Sequence, residues 1–235
     1  GTDARRGRRK VLVTGANGQL GRELQRVFTS EGWDVVASDH RDLDVGDRDA
    51  VLAAVLGVGP DAVVNAAAYT DVDGCETRID DAWRVNALAV RHLAEGCRRV
   101  GAHLTHVSTD YVFDGTRADP YTEWDLPNPQ SVYGRSKLGG EQEAWAAGSG
   151  ATVVRTSWVC GAVGRNVVRT VLGLAADVDR SLAFVDDQRG CPTMAADLAA
   201  APGDRLADHG RADHLVIQHD GERVADIGAA DVGEA

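Results

Sequence analysis

A glycine-rich turn near the N-terminus constrains the fold of this 235-residue chain more than any other feature of its sequence. The apolar run at residues 11–13 before the turn is typical of a buried parallel strand, and residues 20–28 after it have apolar side chains at helical spacing. A strand, a glycine turn and a helix in this order form the first βα unit of a dinucleotide-binding sheet. The glycines, Gly15, Gly18 and Gly21, are evenly spaced by three, a pattern that an ordinary tight turn also produces.

The second strand-like segment, residues 34–39, ends in a carboxylate. Asp39 lies about twenty residues beyond the turn, where a carboxylate accepts hydrogen bonds from the adenosine ribose. An acid there repels a 2′-phosphate and favours NADH, whereas Arg41 can offset the repulsion and so permit NADPH. The alternative is that Asp39 is a solvated loop carboxylate. Asp44 and Val45 follow on the same loop, within reach of the adenine edge.

Composition excludes several classes of protein. Hydrophobic residues make up 43% of the chain, enough for a sizeable core, and the net charge of −11 argues against a nucleic acid partner. No run approaches the roughly 18 apolar residues of a membrane span, and no signal-peptide stretch follows the arginine-rich start, so we expect a cytoplasmic protein. The cysteines have no C-x-x-C pair, which predicts buried free thiols and neither a disulfide nor a metal site. They are Cys75, Cys97, Cys160 and Cys191.

Strand-like and helical segments alternate along the rest of the chain. The further strand-like runs are residues 61–65, 102–107, 151–158 and 181–185. Residues 82–100 have the periodicity of a long helix. This alternation predicts an α/β fold with a doubly wound parallel sheet, whose ligands bind at the carboxyl ends of the strands. Residues of several motifs fall at such ends: Gly18, Tyr69, Thr109 and Trp158.

Tyr133 and Lys137 indicate hydride-transfer chemistry. They are four residues apart, so a helix places both side chains on one face. Tyrosine loses its proton near a pH of about 10, and a neighbouring ammonium group such as that of Lys137 stabilises the phenolate. Tyr133 can then give a proton to a carbonyl oxygen that Thr109 holds. The Y-x-x-x-K pattern also arises by chance, in which case Lys137 would pair with Glu141.

Five segments together resemble a known family. They are residues 14–21 (TGANGQLG), 65–70 (NAAAYT), 107–115 (VSTDYVFDG), 132–137 (VYGRSK) and 155–159 (RTSWV). They are similar to the dTDP-4-dehydrorhamnose reductases, extended short-chain dehydrogenases/reductases with a Rossmann-like fold, and the likeness runs from about residue 10 to about residue 200. The resemblance implies reduction of the C4 ketone of dTDP-4-dehydro-L-rhamnose, or of a related dTDP-4-keto-6-deoxy sugar, by NADPH or NADH.

The resemblance also implies roles for individual residues. The implied catalytic residues are Thr109, Tyr133 and Lys137, with Tyr133 as proton donor. The implied cofactor residues are Gly15, Gly18, Gln19, Leu20, Gly21, Asp39, Asp44, Val45, Ala68, Tyr69, Thr70, Tyr133 and Lys137. The implied substrate residues are Thr109, Asp110, Tyr133 and Trp158. No metal is implied.

The residues around Thr109 distinguish this chain from enzymes with related activities. Sugar-nucleotide 4,6-dehydratases follow the threonine with an Asp-Glu pair, whereas this chain has Asp110 and Tyr111 and no second acid. An epimerase activity is also compatible with the sequence. A non-catalytic NADP-binding regulatory subunit stays open too, although intact Thr109, Tyr133 and Lys137 disfavour it. A monomer and a homodimer are equally compatible with the sequence.

The chain divides into four segments. Residues 1–9 form a basic leader, 10–160 a NAD(P)-binding domain with the catalytic residues, 161–200 the start of a substrate lobe, and 201–235 a divergent tail. The tail contains no aromatic residue, and only residues 214–217 predict a strand, so we expect a small and incomplete C-terminal substrate lobe. The long loop around Trp124 is either a lid over the sugar or a passive surface loop.

Overall fold

The computed structural model describes residues 8–146, 150–176, 190–207 and 214–216, and only the backbone at 202–207 and 214–216. The strands are β1 (Lys10–Thr14), β2 (Asp34–Ser38), β3 (Ala62–Asn65), β4 (His103–Thr109), β5 (Ala151–Thr156), β6 (Val159–Cys160), β7 (Thr193–Met194) and β8 (His214–Val216). The helices are α1 (Gln19–Ser30), α2 (Arg48–Val58), α3 (Val72–Thr77), α4 (Ile79–Trp83), α5 (Ala89–Val100), α6 (Val132–Ala146), α7 (Val167–Ala175) and α8 (Ala195–Ala207).

Six strands form one parallel sheet in the order β2-β1-β3-β4-β5-β8. The predicted α/β fold with a doubly wound parallel sheet is therefore confirmed. From β1 the chain passes first to β2 on one side and later to β3 on the other, so the strand order reverses between β1 and β3. Ligands of open α/β sheets bind outside the carboxyl ends of the strands at such a reversal. The glycine turn and the segment after β3 meet at this point.

The core lies on both faces of the sheet because side chains alternate along each strand. Val13 faces α1 and α8 and packs in one cluster with Phe28 and Leu198. Leu93 of α5 and Leu104 of β4 belong to a second cluster on the opposite face, which also includes side chains of α2 and α6. Packing on both faces fixes the strand ends, and with them the loops that carry the site residues.

The helix predicted over residues 82–100 differs from the observed one. It begins at Ile79, and its middle, Arg84–Leu88, is π-helical before α5 continues. A π-helical turn inserts one residue into the helix and turns the following side chains, an effect that apolar periodicity does not reveal. Asn86, inside this turn, is consequently buried and directed at the site.

Three of the strand predictions have different outcomes. The strand predicted over residues 151–158 ends at Thr156, because Trp158 has a φ of 44°, outside the range of strands. The strand predicted at residues 214–217 is confirmed over its described part as β8 (His214–Val216), which pairs with β5. The strand predicted at 181–185 lies outside the described residues.

All four cysteines are free. Cys75, Cys97 and Cys160 are buried as predicted, but Cys191 is exposed, because it lies in the segment before β7 that borders a cavity rather than in the core. No helix in the described ranges is long and apolar enough to cross a bilayer. Across the same ranges, no group of three or more His, Cys, Asp or Glu side chains is arranged to hold a metal ion.

Candidate active site

The glycine turn brings β1, α1 and the end of β3 into close contact. Gly15 has a φ of +67°, and a Cβ atom there would lie 2.7 Å from the backbone of Ala66 and Ala67. A Cβ atom on Gly21 would lie 2.3 Å from the carbonyl oxygen of Gly15. Glycine is therefore required at both positions, for the backbone conformation at Gly15 and for the close approach of α1 at Gly21.

The N-terminus of α1 is open toward the strand ends. Its N-cap is Gly18, which has no side chain to accept hydrogen bonds from the first turn. The Gln19 side chain points instead toward the segment after β6, where it accepts from the amide of Gly161 (2.9 Å) and donates to the carbonyl of Arg165 (2.7 Å). The backbone amides of Gln19 and Leu20 thus belong to an uncapped helix end, which fits the pyrophosphate of a dinucleotide.

Asp39 is held at the carboxyl end of β2. It accepts hydrogen bonds from the backbone amide of Arg41 (2.7 Å), from the Arg41 guanidinium (3.1 Å) and from the Asn17 side chain. These bonds, led by that from the Arg41 amide, lower the pKa of Asp39 to about 2, so its carboxylate is ionised at neutral pH. An ionised acid and an arginine therefore stand together at the position expected for the adenosine ribose.

The neighbouring residues Asp44 and Val45 have different environments. The Asp44 carboxylate accepts two hydrogen bonds from the Arg84 guanidinium (2.9 and 2.8 Å), which lower its pKa. Val45 is buried in the core cluster on the α2 side of the sheet. The Asp44 side chain is half exposed, so it is the member of this pair that remains accessible.

The segment after β3 is braced by Asn86, a residue that sequence reasoning missed. The Asn86 amide accepts from the backbone N–H of Tyr69 (2.9 Å) and donates to the Tyr69 carbonyl (3.1 Å) and to Ser136 (3.0 Å). One side chain thus joins the predicted cofactor segment, Ala68 to Thr70, to the helix that carries Tyr133. The signal is absent from the sequence because it depends on the π-helical turn.

Thr109 and Tyr133 meet at the end of β4. The Tyr111 ring contacts the Tyr133 ring edge-on at 5.5 Å. Burial raises the pKa of Tyr133 to about 12, and the neighbouring Thr109 side chain only partly opposes this rise. The lowering of this pKa that we expected from Lys137 is not observed, because the groups that act on Tyr133 besides burial are Thr109 and nearby acidic or neutral side chains. Burial also raises the pKa of Asp110, whose carboxylate accepts from Thr109 (3.1 Å).

Lys137 lies one turn after Tyr133 and is only 2% exposed. Its Nζ donates to the carbonyl of Val107 (2.6 Å). Burial lowers the pKa of Lys137 to about 8, and the negative charge of Glu141 opposes the lowering. The alternative in which Lys137 forms an ion pair with Glu141 is not observed, since Glu141 pairs with Arg155.

A cavity of about 860 Å³ opens beside Asp110 and Trp158. The loop after β4, residues 113–121, lines it from one side and Cys191 from the other. Asp114 holds this loop in place through hydrogen bonds from Thr116, Tyr121 and Asn128. Trp158 has a left-handed backbone conformation, which is strained for a bulky residue. Strained backbone conformations of this kind cluster at functional sites.

The family model of the RmlD substrate binding domain matches residues 9–214 of this chain. The chain belongs to the RmlD family. This membership confirms the resemblance to dTDP-4-dehydrorhamnose reductases that the five sequence segments indicated.

Several relatives of known name share this family. The chain is 47% identical over 197 residues to a dTDP-4-dehydrorhamnose reductase of Mycobacterium tuberculosis, covering 82% of this chain and 64% of that protein. It is 43% identical over 192 residues to the spore coat polysaccharide biosynthesis protein SpsK of Bacillus subtilis, covering 82% and 68%. The chain thus spans about two thirds of the length of these RmlD relatives.

Solved structures show the same RmlD architecture. A dTDP-4-dehydrorhamnose reductase of Bacillus anthracis in complex with NADP superposes with a TM-score of 0.86 at 36% identity, covering 92% of this chain and 76% of the other. A dTDP-4-dehydrorhamnose reductase of Clostridium acetobutylicum also reaches 0.86, at 40% identity, covering 90% and 75%.

Proposed function

We propose that this chain carries the catalytic domain of a dTDP-4-dehydrorhamnose reductase. The proposed reaction reduces the C4 ketone of dTDP-4-dehydro-L-rhamnose, or of a related dTDP-4-keto-6-deoxy sugar, with NADPH or NADH. The observation that carries the proposal is that Thr109 and Tyr133 lie together at the carboxyl edge of the sheet, with Lys137 one turn further along α6, and that the adjacent Asp110 and Tyr111 line the cavity. The names of RmlD relatives support the substrate.

The cofactor residues have a consistent arrangement for NAD(P)H. The uncapped end of α1 would hold the pyrophosphate, and Asp39 with Arg41 would hold the adenosine ribose. The NADP complex of the Bacillus anthracis relative supports NADPH for the family fold. Because Arg41 already bonds Asp39, it stands where a 2′-phosphate would be recognised, so we propose that NADPH is accepted as well as NADH.

The proposed mechanism assigns one proton transfer to Tyr133. A bound reduced nicotinamide supplies the hydride, with its electron pair, to the carbonyl carbon. Tyr133 gives its phenolic proton to the carbonyl oxygen, which becomes the C4 hydroxyl group, and the phenolate regains a proton from solvent. The raised pKa keeps Tyr133 protonated before the reaction, as a proton donor requires.

Thr109, Lys137 and Trp158 support that transfer. The Thr109 hydroxyl lies next to Tyr133 at the end of β4, where it would orient the ketone oxygen toward the phenolic proton. Lys137 does not lower the pKa of Tyr133 before the reaction, and we assign its ammonium, one turn away on α6, to stabilising the phenolate that the transfer leaves. Asp110 and Trp158 border the cavity that would hold the deoxysugar.

Turnover by the 235-residue chain tests the proposal. Purified protein is mixed with NADPH and dTDP-4-dehydro-L-rhamnose, the loss of reduced-nicotinamide absorbance is followed, and the product is identified by NMR. We expect turnover in the wild type and a loss of kcat of about 100-fold or more in Tyr133→Phe. Lys137→Met should be similarly impaired. The matched control is Lys10→Met, because Lys10 also donates to a backbone carbonyl, that of Val58, but far from the site.

Two results would contradict this function. NADPH binding without turnover of any dTDP-4-keto sugar would favour the non-catalytic regulatory subunit, and full activity of Tyr133→Phe would remove the proposed proton donor. We further propose that the enzyme acts in the cytoplasm as a monomer or a homodimer. Cell fractionation and light scattering on the eluting protein test these two statements.

A further inference from the structure

A fully buried carboxylate lies beneath the candidate active site. Glu141 of α6 is 0% exposed, and it accepts hydrogen bonds from the Ser108 hydroxyl (2.6 Å) and from Nε and Nη2 of Arg155 (2.9 and 2.6 Å). Arg155 is itself only 4% exposed. None of these three residues has a role in the reaction as proposed above.

The carboxylate joins three elements that carry a residue of the proposed site or lead directly into one. Ser108 lies on β4 directly before Thr109, and Glu141 lies on α6 one turn after Lys137. Arg155 lies on β5, three residues before Trp158, and its guanidinium packs 5.1 Å from the Phe113 ring in the cavity wall. A displacement of Glu141 would therefore change the distances between Thr109, Lys137 and the cavity together.

We propose that Glu141 is a positioning residue for the reduction, which sets the placement of Thr109 and Lys137 through its bonds to Ser108 and Arg155. The inference rests on the proposed function. A misplacement of about 1 Å at a reacting group can reduce a rate by about 100-fold, so a rigid link between these elements has a direct effect on turnover.

The ion pair is poorly explained as a source of stability. Buried ion pairs are often no more stabilising than apolar side chains of similar volume, because both charges lose their hydration. This pair also leaves Nη1 of Arg155 buried without a hydrogen-bond partner among the described residues. What the pair does provide is a fixed geometry, since three directional bonds converge on one carboxylate.

Glu141 also raises the pKa of Lys137. The charged group that acts on the pKa of Lys137 is Glu141 on its own helix, and Lys137 in turn acts on the pKa of His106 on β4. Burial, with the adjacent Lys137 charge, holds the pKa of His106 well below its usual range, so this ring is neutral. Arg155, the cation on β5, is neutralised by Glu141. Glu141 is therefore the group that offsets the desolvation of Lys137.

The test compares three variants. Glu141→Gln removes the charge and keeps the shape, and Ser108→Ala removes the bond to β4 while the ion pair stays intact. Glu143→Gln is the matched control, because Glu143 lies on the same helix and bonds an arginine, Arg91 (2.7 Å), at the surface. For each variant, kcat, the KM values for NADPH and for the dTDP-4-keto sugar, and the melting temperature are measured.

We expect kcat to fall about tenfold or more in Glu141→Gln and about threefold or more in Ser108→Ala, with KM for NADPH within about threefold of the wild type and Glu143→Gln unchanged. If Glu141→Gln does not fold, Ser108→Ala carries the test. Retention of kcat within about twofold in each folded variant overturns the proposal. A loss confined to the KM of the sugar nucleotide overturns it too, because it would assign the pair to substrate binding.

A second readout does not depend on turnover. The chain contains two lysines, Lys10 and Lys137, so lysine labelled with ¹⁵N at Nζ gives two assignable NMR signals. We expect Lys137 to titrate at lower pH in Glu141→Gln than in the wild type, and Lys10 to stay unchanged. If the wild type shows no turnover, the proposed function fails and this titration decides the present inference: an unchanged Lys137 signal in Glu141→Gln overturns it.

Discussion

Replacement of Gly21 by alanine is the sharpest perturbation of the proposed cofactor site. The new Cβ atom would lie 2.3 Å from the carbonyl oxygen of Gly15 and 2.7 Å from Cα of Ala16, whereas ordinary contacts begin at 3.4 Å. Both neighbours are backbone atoms, so no side chain can rotate away. The start of α1 or the glycine turn must move by about 1 Å.

The expected magnitude follows from this overlap. Inserting a methyl group into a well-packed site costs about 1–3 kcal/mol. If the strain appears when the turn closes on the pyrophosphate, the Kd for NADPH rises about 5- to 150-fold, because about 1.4 kcal/mol corresponds to a factor of ten. Any part of the strain that is present without cofactor lowers the free energy of unfolding instead.

Calorimetric titration with NADPH and urea denaturation measure the two parts. The matched control is Gly57→Ala: Gly57 is exposed on α2, and a Cβ atom there meets nothing within 4 Å. That variant should bind NADPH normally and gain about 0.5–1 kcal/mol of stability from a lower cost of ordering the helix. The reasoning is refuted if Gly21→Ala binds NADPH within about twofold of the wild type and its unfolding free energy changes by less than about 0.5 kcal/mol.

Four further predictions concern the charges and hydrogen bonds of the site. The pKa of Lys137 is lowered to about 8, so kcat should fall as pH rises through about 8; a rate that is level to pH 10 would contradict this. The same lowering from 10.5 means that the buried charge costs stability below about 8, and urea denaturation should show stability rising with pH between 8 and 10.5. Arg41→Ala should reduce kcat/KM for NADPH about tenfold relative to NADH, since Asp39 would then face the 2′-phosphate alone; an unchanged ratio would exclude Arg41 from cofactor selection. Asn86→Ala removes both bonds to the Tyr69 backbone and should raise the KM for NADPH at least about threefold, as steady-state kinetics would show.

Much of the fold could be predicted because its signals are local. The turn from β1 to α1 can be predicted from its glycines. They lie where the backbone has a positive φ or passes within contact distance of another segment. The buried parallel strands read as short apolar runs, because both of their faces are covered by helices. Even β8 was predictable from the run at residues 214–217, in which three of four residues are apolar, although its pairing with β5 was not.

The missing parts depend on distant contacts. Glu141 and Arg155 are fourteen residues apart and meet only because α6 packs on β4 and β5. Asn86 reaches Tyr69 through a π-helical turn that apolar periodicity cannot distinguish from an α-helix. The raised pKa of Tyr133 reflects how many atoms cover it, which no spacing rule expresses.

The most direct measurement is turnover of dTDP-4-dehydro-L-rhamnose by the 235-residue chain with NADPH deuterated at the transferable position of its nicotinamide. The account predicts loss of the reduced-nicotinamide absorbance and deuterium at C4 of the sugar product, both slower by about 100-fold or more in Tyr133→Phe. Stable NADPH binding with no deuterium in any sugar product would contradict it.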